Sequence, residues 1–327
     1  TSSLELLKNI ALQKLITNFF FCKIIKLTMN QLKNLSAGAK TIYFPNGVLY
    51  DGFRPTYPPI FIEKILNATK NFDNFLDVAT GTGQLLFQIY NKFKGLTLGT
   101  DISQGQIEQA QKKADSLKST LSPGQEIKFL VGDCSNLDKF LEDNNISNIK
   151  FDLITFAEAF HWFDMEKILI ACKEKLLTKD GLLAILSYYI AGVELNSSDE
   201  EVRKRPVKHY DTIYDTVMVE SKFSQEVLIS GYKNVPFEKY FSTKREDLLI
   251  KVPVNLDWVV GHIKTWSMYN IYVKKHQDEP GFKDPLDTFK EILLQEAKKA
   301  ETEEKLDSKE KPYLMVIPFN LILATNS

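Results

Sequence analysis

An α/β fold built on one doubly wound, mostly parallel sheet is what the sequence predicts, and three observations carry the prediction. Between Phe75 and Tyr189, short apolar runs alternate five times with segments of helical period. The runs are apolar on both faces, as expected of strands that helices cover on each side. Acidic and aromatic residues stand just beyond several of their carboxyl ends, which right-handed crossovers gather on one edge of the sheet. At 327 residues the chain holds one large domain with insertions or two modest ones, and either has room for a substantial core.

Composition narrows the function classes. A formal charge of −1 and a pI near 6.4 argue against a dedicated nucleic-acid surface and leave small molecules as the expected substrates. No apolar run has the length and purity of a membrane span. Cys22, Cys134 and Cys172 are widely separated, without CxxC or Cys/His ligand spacing, so reduced buried thiols and no metal site are expected.

Residues 1 to about 40 form an apolar extension ahead of the folded pattern. Leu4, Leu7, Ile10, Leu15 and Ile16 have helical spacing, and lysines outnumber the single acid Glu5 in this stretch. That pattern resembles an organellar presequence, so a mitochondrial location stands as the alternative to a cytoplasmic one. Residues 1–28, which precede Met29, are expected to dock on the body or on a protein partner and not to take part in chemistry. The remainder, 41–327, reads as one domain with covers inserted at about 190–236 and 254–304.

Tyr50-Asp-Gly-Phe-Arg-Pro-Thr-Tyr-Pro58 opens that domain. Its prolines forbid a continuous helix and its aromatics can close over a ligand, so it reads as a lid. Arg54 is either a functional cation or a structural donor to loop carbonyls. Ile60 to Ala68 follows as the first helix. Phe75 to Asp101 then reads strand, glycine loop, helix, strand and terminal acid, the order of a nucleoside-binding unit. Gly81 and Gly83 let backbone amides approach a ligand, Gln84 to Phe93 continues as a helix, and Asp101 lies 18 positions beyond Gly83, where a carboxylate can accept ribose hydroxyl protons. A dinucleotide fingerprint would need a third glycine where Leu86 stands, and Asp77 would repel a pyrophosphate. An acid ahead of the loop suits a cationic amino group instead.

Ser103 caps a helix to Leu117, and Ile127 to Gly132 is a third strand ending on Asp133 and Cys134. Asp133 reads as a ligand acid or as a helix cap. Phe151 to Ala157 is the next buried strand, with Glu158-Ala-Phe-His-Trp-Phe-Asp164 beyond it at the reaction edge. Phe160 and Phe163 could simply pack, Trp162 offers a face to positive charge, and His161 stands open between donor, orienting group and base. Met165 to Leu177 is a helix and Gly181 to Tyr189 a fifth strand. Phe237 to Ser242 could add another. Asn255 caps a helix with Trp258, Val259, His262, Trp266 and Tyr269 on one broad face, Asp284-Pro285 starts a charged helix to about Glu303, and Tyr313 to Ala324 is a final apolar strand.

Asp77-Val-Ala-Thr-Gly-Thr-Gly83 resembles the (D/E)xGxGxG loop of class I S-adenosylmethionine-dependent methyltransferases, with Ala79 in place of the first glycine. The lid pattern Y-x-x-x-R-P-x-Y-P and the AxxFHWFD segment are similar to a subgroup that includes trans-aconitate methyltransferase-like proteins. The resemblance implies a Rossmann-like sheet of seven strands, with the final strand an antiparallel hairpin strand closing it. It implies S-adenosylmethionine as cofactor, held by Asp77, Ala79, Gly81 and Gly83, by Asp101 and Ile102, and by Asp133, Cys134 and Ala157, with Asp133 facing the adenine amino group. The acceptor would be a small organic acid's carboxylate in a pocket of Tyr50, Arg54, Trp162 and His262, with Arg54, His161 and Trp162 nearest the chemistry. Two alternatives stay open: a catalytically silent subunit of an assembly, and a methyltransferase acting on protein or nucleic acid.

Overall fold

The structure, a computed structural model, describes residues 52–219 and 226–326. Its frame is one eight-stranded sheet: β1 (Phe75–Val78), β2 (Leu96–Asp101), β3 (Glu126–Val131), β4 (Phe151–Ala157), β5 (Leu177–Tyr188), β6 (Gly192–Leu195), β7 (Ser242–Val254) and β8 (Tyr313–Thr325). β3, β2, β1, β4 and β5 lie side by side and parallel. β8 runs antiparallel to β5 through Leu182↔Thr325 and antiparallel to β6 through Gly192↔Val316. β5 and β6 therefore lie along the same edge of β8, one continuing the other after a break at residues 189–191. Counted as one interrupted line, they reconcile the eight named strands with the seven expected.

The helices are α1 (Pro59–Ala68), α2 (Leu86–Ile89), α3 (Gln104–Leu117), α4 (Leu137–Asp143), α5 (Met165–Ala171), α6 (Glu200–Arg203), α7 (Val207–Met218), α8 (Glu226–Ile229), α9 (Leu256–Lys264), α10 (Ser267–His276) and α11 (Pro285–Thr302). Strand residues alternate between two cores. Leu182, Ala184 and Leu186 of β5 face the layer that holds α1, α7, α9 and α11, while Leu183 and Ile185 face the layer of α4, α5 and α8. Caps follow the sequence: the Ser103 side chain accepts from Gln106 N–H, Asn255 from Trp258 N–H and Asp284 from Leu286 N–H.

Several expected boundaries move. Phe237–Lys239 is a 3₁₀ turn, with Phe237 fully buried, and the strand begins only at Ser242. The helix after the glycine loop is a single turn, because Tyr90–Lys92 tightens into 3₁₀ geometry. The helix from Met165 widens into a π turn at Cys172–Leu176, and β5 starts at Leu177. The broad aromatic face spans two helices broken at Thr265 and Trp266. β8 does not close the sheet: β7 pairs along its full length and forms the edge. The first cover begins within the sheet, since Gly192–Leu195 is β6.

Among the described residues no helix is long and apolar enough to cross a membrane. The expectations for the extension 1–40 and for Tyr50 lie outside the described residues.

Candidate active site

Strand register builds the first half of the site. Asp77 on β1 sits level with Gly99 on β2 and Thr155 on β4, so the Thr155 side chain shares its face. The Thr155 hydroxyl donates to Asp77 Oδ1 at 2.5 Å, and the Thr80 hydroxyl donates to Oδ2 at 2.5 Å. Burial pushes the Asp77 carboxyl up to about 6; the two hydroxyls oppose that rise and the nearby Asp101 adds to it. The group is thus mostly ionised at neutral pH, with an appetite for a cation. A Cβ on Gly99 would stand 2.5 Å from the Phe129 ring and 2.9 Å from Thr80 Cγ2, so only glycine leaves room for this arrangement.

The loop beyond β1 turns through left-handed backbone at Ala79 (φ 55°), Gly81 (φ 59°) and Gly83 (φ 81°). Thr80 N–H donates to Thr100 O at 2.8 Å, which ties the loop to the end of β2. Gly81 N–H then reaches Asp101 Oδ2 at 2.9 Å, and Ser103 N–H reaches Oδ1 at 2.8 Å. Burial raises the Asp101 carboxyl, with these backbone donors opposing it. Next to it Ile102 is 36% exposed, an apolar side chain left open at the carboxyl end of β2. Asp133 fulfils its cap reading: Oδ1 accepts from Ser135 N–H at 2.9 Å and from the Ser135 hydroxyl at 2.5 Å. Cys134 is buried 3.4 Å from Thr100 Oγ1, and its thiol is pushed up to about 12 by burial, so it is a packing group.

The second half lies past β4, after Ala157. Glu158 adopts φ 57° and accepts Tyr188 N–H at 2.5 Å through Oε1. Part of its surface is open, yet protein surrounds it closely enough for burial to raise the carboxyl to about 8, against the Tyr188 N–H and the Arg54 charge. His161 Nδ1 lies 3.0 Å from the Tyr232 hydroxyl, and burial pushes the imidazole down to about 3. Trp162 stands beside it, with ring centroids 5.1 Å apart. Phe160 and Phe163 pack in the core, each 5.3 Å from the Phe156 ring.

The lid segment meets this cluster from α9. Arg54 Nη2 donates to Thr265 O at 3.3 Å, the structural contact its sequence position allowed. It also lies near enough to Glu158 and His262 to lower the pKa of both. His262 Nδ1 is 2.8 Å from Phe53 O; a carbonyl only accepts, so Nδ1 carries the proton and Nε2 is a bare acceptor. Nε2 is buried with no hydrogen-bond partner among the described residues. Trp258 stacks on the imidazole at 5.3 Å and Trp266 meets it edge-on at 5.9 Å. Burial, then Arg54, push His262 down to about 3.

Two groups result: Asp77, Gly81, Gly83 and Asp101 around the loop, and Arg54, Glu158 and His262 between lid, β4 and α9. Sequence reasoning missed Thr155, which only the register with Asp77 reveals, and Tyr232, whose approach to His161 across 71 positions has no local signal. Among the described residues no cluster of three or more His, Cys, Asp or Glu side chains could hold a metal ion.

A family model described as a methyltransferase domain matches residues 69–228, the stretch containing the glycine loop, Asp101 and the β4 edge. A Dictyostelium discoideum protein provisionally named a methyltransferase is 26% identical over 82% of this chain and 90% of its own length. The chain is a methyltransferase. A Saccharomyces cerevisiae protein, provisionally named an S-adenosylmethionine-dependent methyltransferase, is similar to it at 20% identity over 72% of this chain and 83% of its own. A structure from Anaeromyxobacter dehalogenans, described provisionally as a type II methyltransferase, shares the fold of this methyltransferase with a TM-score of 0.54, at 19% identity over 83% of this chain and 97% of that one.

Proposed function

We propose that this methyltransferase esterifies a carboxylate of a small organic acid, with the Arg54, Glu158 and His262 cluster as its acceptor site. When bound, S-adenosylmethionine supplies an electrophilic methyl group on a sulfonium. The residues around the loop fit it. Gly81 and Gly83 turn the loop through left-handed backbone and let it pack directly on the Gln106 amide and the Phe87 ring, which a Cβ would strike, so the loop is held tight beside Asp77 and Asp101. Asp77 offers a buried carboxylate to its ammonium, Asp101 retains lone pairs for ribose hydroxyls, and Ile102 gives an apolar face for the base, with Ala79, Asp133, Cys134 and Ala157 bordering the same edge.

The observation that carries the acceptor reading is the Arg54 guanidinium, anchored on Thr265 O and within electrostatic reach of Glu158 and His262. A planar guanidinium holds a carboxylate through two hydrogen bonds. Glu158, kept neutral at pH 7, does not repel an acid. Efficient general bases titrate near the working pH, whereas His161 and His262 are both pushed down to about 3. Such histidines stay neutral and orient groups, which suits an acceptor that arrives ionised. The chain's own work is then to align the acceptor, exclude water with Trp162 and the lid, and leave His262 Nε2 as an acceptor for a hydroxyl on the acid.

The test is incubation with methyl-labelled cofactor and a metabolite extract, followed by identification of the labelled product. A base-labile methyl ester is expected. Arg54→Ala should raise the acceptor KM at least about tenfold, while His161→Gln should cost much less than the roughly 10²-fold loss of a true base. An N-methyl product or a methyl ether would refute the carboxylate reading and turn attention to Glu158, whose pKa near 8 suits a base for a hydroxyl acceptor.

A further inference from the structure

Glycine inside a helix costs stability relative to alanine, so Gly261, in the middle of the nine-residue α9, asks for a reason. Its φ is not in the left-handed region, so backbone freedom is not that reason. Close approach is. A Cβ built on Gly261 would stand 2.4, 2.5 and 2.6 Å from Cδ1, Cγ and Cε1 of Phe53, which means the ring lies against the bare helix backbone. On the same side, His262 Nδ1–H donates to Phe53 O at 2.8 Å, and Arg54 Nη2 donates to Thr265 O at 3.3 Å. Three consecutive features of this segment, namely the Phe53 ring, the Phe53 carbonyl and the Arg54 side chain, thus meet the last turn of α9 and its cap residue Thr265. That helix is fixed from below by Val259 and Ile263, both fully buried, and Trp258 stacked on His262 sets the imidazole plane.

We propose that Gly261 is a positioning residue for the methyl-transfer reaction: its missing side chain is the seat of Phe53, and the seated ring sets the Arg54 guanidinium against the acceptor. This rests on the reading of Arg54 as the acceptor's cation. A methyl group at residue 261 lifts the ring off α9, lengthens the His262 to Phe53 hydrogen bond and swings Arg54 away, because residues 53 and 54 are adjacent and move together. The cofactor loop is tied to β2 by its own hydrogen bonds, Thr80 N–H to Thr100 O and Gly81 N–H to Asp101, and is left untouched.

The experiment uses the full chain and two independent readouts. In Gly261→Ala, phenylglyoxal modification of Arg54, mapped by mass spectrometry, should speed up at least about threefold, while S-adenosylmethionine affinity by calorimetry stays within about twofold. With a panel of small mono-, di- and tricarboxylates as acceptors, KM should rise about tenfold and kcat change less. Phe53→Ala should give the same two effects, and adding Gly261→Ala to it should do nothing more, since the ring that needs the seat is gone. A purely structural role for Gly261 would instead lower the unfolding midpoint equally in both backgrounds. Unchanged Arg54 reactivity and unchanged KM in Gly261→Ala overturn the proposal, as do additive effects in the double variant. If Gly261→Ala does not fold, Phe53→Ala carries the test alone, and normal Arg54 reactivity there overturns it. Faster Arg54 modification together with an Arg54→Ala enzyme that keeps its KM supports the seat and defeats the acceptor reading, so the two failures are distinct.

Discussion

Replacing Glu158 by glutamine keeps the oxygen that accepts Tyr188 N–H and removes only the ability to ionise. The folded chain binds the Glu158 proton more tightly than the unfolded chain, with its carboxyl raised from 4.5 to about 8. Native stability from this group is therefore complete below about pH 4.5, falls as pH rises, and is exhausted once pH passes about 8. At about 1.36 kcal/mol per tenfold change in proton affinity the loss is at most about 5 kcal/mol. Water on the open part of the side chain reduces it to on the order of 2 kcal/mol. Urea unfolding of both proteins from pH 5 to 9 measures this. At pH 5 the two should be nearly equal; by pH 8.5 the Glu158→Gln protein should be the more stable by about that amount. Every other titrating group is common to both proteins and cancels in the difference. A stability difference that stays constant over the range would refute the assignment of a buried, proton-holding carboxyl. The same ionisation should raise the KM for acid acceptors above pH 8 in the wild type but not in the variant.

Ala79→Gly should stabilise the protein by about 0.5 to 1 kcal/mol in chemical denaturation, because a β-carbon at φ 55° is strained and glycine is not. Thr155→Val removes a donor from Asp77 and should push its carboxyl above its present value of about 6. Cofactor affinity, measured by calorimetry against pH, falls in the wild type as pH drops through about 6; in the variant the fall should begin nearer neutrality. Asp101→Ala should weaken S-adenosylmethionine binding by about 1.5 to 3 kcal/mol, tenfold or more, and unchanged calorimetric affinity would exclude a ribose contact.

The loop half of the site was legible because its signals are local. Asp77, Gly81, Gly83 and Asp101 lie on one β-loop-α-β unit, so their nearness follows from local order; that Gly81 N–H is taken by Asp101 and Gly83 N–H by Thr80 O, the spacing did not say. Helix starts at Ser103, Asn255 and Asp284 were equally readable, since a cap acts on donors two or three residues away. The acceptor half was legible only in outline. Arg54, Glu158 and His262 come from three segments more than a hundred positions apart, and nothing in the spacing says that Thr265 O receives the guanidinium. Boundaries failed where packing overruled propensity. Phe237 looks like a strand residue, yet it packs against Phe160 with ring centroids 5.6 Å apart, and this contact holds its segment as a turn. Alanine stands in place of the loop's first glycine and its small size gives no warning; the left-handed backbone at Ala79 gives the change a conformational cost.

The position of β8 has a consequence for how the protein is made. Synthesis is vectorial, so β5, β6 and β7 are all complete before Tyr313 is added, and each then displays the edge that β8 will occupy. Unpaired edges are templates for other chains. From Val254 the ribosome must still add α9, α10 and α11 before the strand that zips them together exists. The nucleotide half, β1 to β4, needs nothing from that strand and is free to condense early, leaving a nascent protein with one finished side and one adhesive side. Chaperone occupancy on translating ribosomes should accordingly peak between the emergence of β7 and that of β8, and vanish once the last register is made.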